Sequence, residues 1–141
     1  MKSRQTRLAG TYLNVDLEIR SRFELAPLVK ELSKSLFVLH TGREARMHFA
    51  SFEVASLEDS PDLAIREMAH AIMNLSSSSR DIWKSAADRT FDIGSEQLPG
   101  RRPYVQILEP ETIDVIAKLR GRVKFTLYPA AEHRVERTAA R

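Results

Sequence analysis

Cysteine is absent from this 141-residue chain. That excludes disulfides, thiolate metal sites and cysteine nucleophiles together. No segment approaches the roughly 20 consecutive apolar residues of a membrane helix, and no N-terminal apolar run reads as a signal peptide. The expected location is therefore the cytoplasm. GxSxG, a glycine-rich phosphate loop and HExxH are all missing. Glycine is used five times and tryptophan once, at Trp83. Histidine occurs four times, at His40, His48, His70 and His133. None of these sits at a helical i,i+4 spacing with another, so no metal site is read. No catalytic residue and no cofactor is assigned.

An excess of positive charge is present, but unevenly. The formal net charge is +3. Residues 1–10 carry Lys2, Arg4 and Arg7 without an acid, and residues 130–141 contribute a further +1, which leaves 11–129 at −1. The basic character belongs to the two ends, so the pI of 9.4 does not imply a nucleic-acid-binding face on the folded part. The expected organisation is a flexible basic arm over 1–10, one domain over 11–129 and a flexible tail over 130–141.

The clearest punctuation lies in RPYVQILEPETIDVIAKLRGRVKFTLYP, residues 102–129. Tyr104–Leu108 alternates as a strand does, with Val105 and Ile107 on the inward side. Glu109-Pro110-Glu111 opens a helix, with proline where its missing N–H costs nothing. Ile113, Ile116 and Ala117 form an apolar stripe, and Gly121 is placed to cap the helix. Val123, Phe125 and Leu127 then alternate in a second strand, expected to lie parallel to the first. The chain before this unit reads strand 12–19, helix to about Ser33, strand 36–40, a turn at Thr41-Gly42 and strand 46–54. Ser60-Pro61-Asp62 opens a helix to about Leu75, the serine run 76–79 links it to a short helix over 80–87, and a strand covers 89–94.

The segments Arg89–Gly94 and Leu108–Leu119, leading into Phe125–Tyr128, resemble an uncharacterised bacterial family of ferredoxin-like α/β domains. Some members lie near polymorphic-toxin immunity genes. The resemblance covers about residues 11–129. It implies an α+β fold: a single mixed sheet of about six strands with helices packed on one face, ferredoxin-like with a second strand–helix–strand unit.

Two surfaces are candidates for function. Tyr12, Asn14, Tyr104, Gln106 and Tyr128 should project from the sheet face opposite the helices, as a partner-binding surface for another protein or a second copy of the chain. Arg101, Arg102, Arg120 and Arg122 should gather where parallel strands begin, as an anion-binding cluster. Asp16, Glu18 and Asp92 read as a solvated strand face. Trp83, near Arg80, Lys84 and Arg89, reads as packing over the core edge. The favoured function is a non-enzymatic, immunity-like protein-binding module, forming a homodimer or binding another protein. The alternatives are a nucleic-acid- or phosphate-binding protein that uses its basic ends and arginine cluster, and an enzyme whose site the sequence does not display.

Overall fold

The computed structural model describes residues 10–56, 59–97 and 103–129. Five strands form one mixed sheet: β1 (Gly10–Ser21), β2 (Leu36–Glu44), β3 (Met47–Val54), β4 (Asp88–Gln97) and β5 (Arg122–Pro129), in the spatial order β2-β3-β1-β4-β5. β1 pairs antiparallel with β3 and β4, β2 pairs antiparallel with β3, and β5 runs parallel to β4. The first four strands have the ferredoxin-like order. A β4–helix–β5 crossover is appended to that core.

The four helices are α1 (Ala26–Leu32), α2 (Pro61–Met73), α3 (Ser77–Ser85) and α4 (Pro110–Lys118). Each sends buried side chains into the same cluster as Val15, Leu17, Ile19, Phe52, Phe91 and Ile93 of the strands. All four therefore lie on one face, as the alternation of apolar residues in β1 demands. α1 begins at Ala26, with no side-chain cap, because Pro27 must occupy the first turn. Ser21 accepts from the Phe23 N–H and makes a turn ahead of α1. Ser60 caps α2 through the Asp62 N–H, and Asp62 in turn accepts from the Glu109 N–H at 3.0 Å, which ties the starts of α2 and α4 together.

The serine run is the start of α3 and not a linker. Ser76 is its N-cap. Glu31 of α1 accepts from the Ser76 N–H, the Ser76 hydroxyl and the Ser79 hydroxyl. These donors hold its carboxyl down to a pKa of about 2. One acid from α1 thus accepts from the N-cap residue and the first turn of a neighbouring helix, where negative charge is favoured.

Three further expectations change. Residues 104–108 are not a strand, so the sheet has five strands and not six. β4 continues to Gln97 and pairs with the whole of β5, from Thr90 opposite Arg122 to Gln97 opposite Pro129. No slot is left between them. Val105 and Ile107, expected inward, are 68% and 66% exposed, while Leu108 packs against the core. The β2–β3 turn is not at Thr41-Gly42. β2 runs on to Glu44, which pairs with Met47, and the two intervening residues Ala45 and Arg46 have φ of 48° and 69°. Two consecutive positive φ values between paired strands are the signature of a type I′ hairpin turn. Here it is built without glycine or asparagine, so the sequence does not announce it. At the end of α4, Arg120 and not Gly121 takes the left-handed position, with φ 61°. The Arg120 N–H reaches the Ala117 carbonyl and the Gly121 N–H the Ile116 carbonyl, closing a Schellman motif. Gly121 is needed for space, since a Cβ there would lie 2.7 Å from the buried Phe91 ring. The expected arm and tail, residues 1–10 and 130–141, fall outside the described residues except Gly10, which starts β1.

Two mutations test these assignments. Ala45→Asn with Arg46→Gly should stabilise the chain by about 1 kcal/mol, because both residues accept positive φ. Gly121→Ala should destabilise it by about 1–3 kcal/mol through overpacking against Phe91. Urea denaturation measures both; the opposite sign in either case would mean the backbone runs differently there.

Candidate functional site

The face opposite the helices is left uncovered by all four of them. Along β1 it carries Asn14, Asp16, Glu18 and Arg20, alternating with the core residues Val15, Leu17 and Ile19. β3 adds Phe49, Ser51 and Glu53; β4 adds Thr90 and Asp92; β5 adds Arg122, Lys124, Thr126 and Tyr128.

Of the five residues expected there, the structure brings two together. Asn14 and Tyr128 flank Gly94: a Cβ at Gly94 would lie 2.9 Å from Asn14 Oδ1 and 3.6 Å from Tyr128 Cε2. Tyr12 goes to the other face. A bulge in the β1–β4 ladder between Tyr12 and Asn14 inserts Leu13 and inverts the alternation, so that Tyr12 packs against the core. Tyr104 and Gln106 lie on the connection to α4, outside the sheet, where Gln106 Nε2 donates to the Tyr104 hydroxyl at 3.1 Å.

The carboxylates Asp16, Glu18 and Asp92, read as a solvated strand face, lie on that open face close enough to act on one another, and Glu53 joins them. Asn14 Nδ2 donates to Asp16 Oδ1 at 3.0 Å and to Glu53 Oε2 at 3.2 Å. Thr126 donates to Asp92 Oδ1 at 2.7 Å. Lys124 Nζ lies 3.0 Å from Glu18 and 3.5 Å from Asp92. Burial, reinforced by Glu53, Asp92 and Glu18, pushes the Asp16 carboxyl up to about 6, against the pull of Lys124. Glu53 carried no signal of its own, but its alternation with the buried Phe52 marks it as facing outward. Among the described residues, no three His, Asp or Glu are grouped so as to hold a metal ion.

β5 is the other half of this surface. Among the described residues it forms the end of the sheet, and no other described strand lies beside its outer edge. α4 packs over β4, with Ile116 and Phe91 both lining the space at Gly121. The helical layer stops there. Val123, Phe125 and Leu127 point to the helix side but remain uncovered, with Phe125 66% and Leu127 59% exposed. Strand alternation identified these as an apolar row; it could not reveal that no helix among the described residues covers them.

Of the four arginines expected to cluster, only Arg120 and Arg122 fall among the described residues. The strand parallel to β5 is β4, which begins at Asp88 and Arg89, so Arg89 meets Arg120: Arg89 Nε donates to the Arg120 carbonyl at 3.1 Å. Arg122 turns to the open face, where it binds Thr90 Oγ1 at 3.0 Å and Asp88 at 3.6 Å. Arg101 and Arg102 lie outside the described residues.

The Asp16 carboxyl fixes a pH dependence. The folded chain holds this proton more tightly than the unfolded chain, whose carboxyl titrates near 3.9. Stability from this group is therefore lost as pH rises from about 4 to about 6. Asp16→Asn should stabilise the protein by about 1–2 kcal/mol at pH 8 and leave it nearly unchanged at pH 3.5. Urea unfolding at the two pH values measures this; equal effects at both would remove the titration.

No family model, curated protein or solved structure matches this chain.

Proposed function

We propose that this protein is a non-enzymatic, cytoplasmic protein-binding module that takes its partner along β5 and the adjoining open sheet face. The single observation that carries this reading is β5 itself. Among the described residues it combines a strand edge with no neighbouring strand, an exposed apolar row, Val123, Phe125 and Leu127, and Tyr128, 49% exposed on the opposite side. An edge of this kind is a template for another strand, and isolated proteins normally blunt it with charge, a bulge or a cover. Within β5, Lys124 is the only charge between Val123 and Pro129, and it is drawn inward to Glu18 and Asp92. That leaves the edge open to β-augmentation, in which backbone hydrogen bonds give affinity and alternate side chains give specificity.

A second copy of the chain is the simplest partner. Two β5 strands meeting antiparallel about a twofold axis would continue the sheet and cover each other's Phe125 and Leu127. The same surface serves an immunity-like role, in which a small domain acts by covering another protein. The neighbouring carboxylates Asp16, Glu18, Glu53 and Asp92, answered by Lys124, favour a partner that brings basic side chains to the open face.

Light scattering on a size-exclusion column is the test. The wild-type chain should run as a dimer at high micromolar concentration, and Phe125→Glu with Leu127→Glu should make it a folded monomer whose melting temperature matches that of the dilute wild-type chain. A strict monomer that behaves identically in both forms would remove the self-association, and equal capture of bound proteins by both forms would remove β5 as the binding surface.

A further inference from the structure

A second surface is built on the helix side, away from β5. α2, α3 and α4 all end beside the same cavity of about 450 Å³, which Arg80, Trp83, Lys84, Arg89, Lys118 and Arg120 line. The polar groups at its wall are largely spent on the helix ends. Arg89 Nη1 donates to the carbonyls of Trp83, Lys84 and Ala86, and Trp83 Nε1 donates to the Leu119 carbonyl at 3.2 Å. Arg80 donates to the Met73 carbonyl. This is the ordinary reason to find cations here, since a helix C-terminus carries negative partial charge.

The charge count exceeds that need. Three helix ends amount to roughly one and a half negative charges. Lys118 is paired with Asp114 at 3.0 Å. Among the described residues, no carboxylate lies within ion-pair distance of Arg80, Lys84, Arg89 or Arg120. Asp88, the acid that acts on Arg89, is shared with Arg122. Arg89 and Arg120 are close enough that burial and mutual repulsion lower the Arg89 pKa. Four cations around one cavity therefore leave a surplus of about two positive charges after the helix ends are compensated.

We infer that this cavity binds a small organic phosphate of mononucleotide size. The volume falls in the range of small-molecule sites, and the wall is mixed in the way such sites are. Ile72, Met73 and Leu119 supply an apolar side for the organic part. Lys84 and Arg120 supply charge for the phosphate, because Arg80 and Arg89 also brace the helix ends. Trp83 is only 3% exposed, and Arg89 lies 6.0 Å from its ring centre, so the indole acts as the floor and not as a stacking platform. The site is separate from β5, and neither proposal depends on the other.

Trp83 also provides the probe. It is the only tryptophan, and its indole N–H sits in the cavity wall, so a single indole resonance reports on occupancy. The intact chain is titrated at constant ionic strength with adenosine monophosphate, inorganic phosphate and citrate. The expected result is a saturable shift of the indole resonance, tighter for adenosine monophosphate than for inorganic phosphate or citrate. Lys84→Ala and Arg120→Asn should each weaken it by roughly tenfold, the cost of losing one charged hydrogen-bond partner. Asparagine is chosen at Arg120 because it tolerates the left-handed backbone there. Lys34→Ala, on the α1–β2 connection, should leave it unchanged. Thermal melts establish that each variant is folded. A shift that does not saturate, that Lys34→Ala weakens as much as the cavity variants do, or that citrate matches would overturn the inference.

Discussion

The parallel pairing of β4 with β5 decides most of what this molecule presents to its surroundings. β4 is buried over most of its length and lies between β1 on one side and β5 on the other. Because it runs on to Gln97, it fills the place beside β5 that residues 104–108 would otherwise take. α4 then crosses over β4 and closes on Phe91 through Gly121. The helical layer ends one strand short of the sheet. β5 is held by its ladder and by the open-face bonds of Arg122, Lys124 and Thr126, with its apolar row in the open.

The same pairing builds the cationic cavity. It brings the start of β4 to the end of α4, so that one side chain, Arg89, satisfies carbonyls from α3 and from the α4 terminus. α2 joins through Arg80. Three helices ending together create a local need for positive charge, and the chain supplies more than the need. On the opposite face, closeness of strands produces the reverse effect: carboxylates from β1, β3 and β4 crowd one another, and Asp16 keeps its proton to about pH 6. The sheet thus separates a carboxylate cluster from a cationic cavity, although residues 11–129 are nearly neutral as a whole.

The one-sided α+β architecture was legible because β1 and the helices alternate cleanly. Val15, Leu17 and Ile19 could only face a helical layer, and the stripes of α2 and α4 could only supply one. What was not legible follows from features that leave no local mark. The Leu13 bulge shifts Tyr12 by one face without altering composition. Ala45 and Arg46 make a tight turn with residues that do not usually do so. Tyr104–Leu108 has a strand's alternation but loses the competition for pairing to the longer β4, an outcome set by tertiary contact and not by propensity. The expected arginine cluster depended on a strand at 104–108 parallel to β5, and that strand is absent. The partner strand was β4, so the guanidinium that meets Arg120 belongs to Arg89. Glu53 joined the carboxylates through register, which spacing along the chain does not give.

Amide hydrogen exchange of the dilute protein, followed by NMR, tests the β4–β5 arrangement most directly. A parallel edge strand bonded on one side alone should show protection at alternate residues of 122–129, with the amides between them exchanging freely, and residues 104–108 should exchange fast throughout. Uniform protection across 122–129 at a concentration where the chain is monomeric, or a protected ladder in 104–108, would contradict the account, because the chain itself would then cover the strand that the proposed partner is to meet.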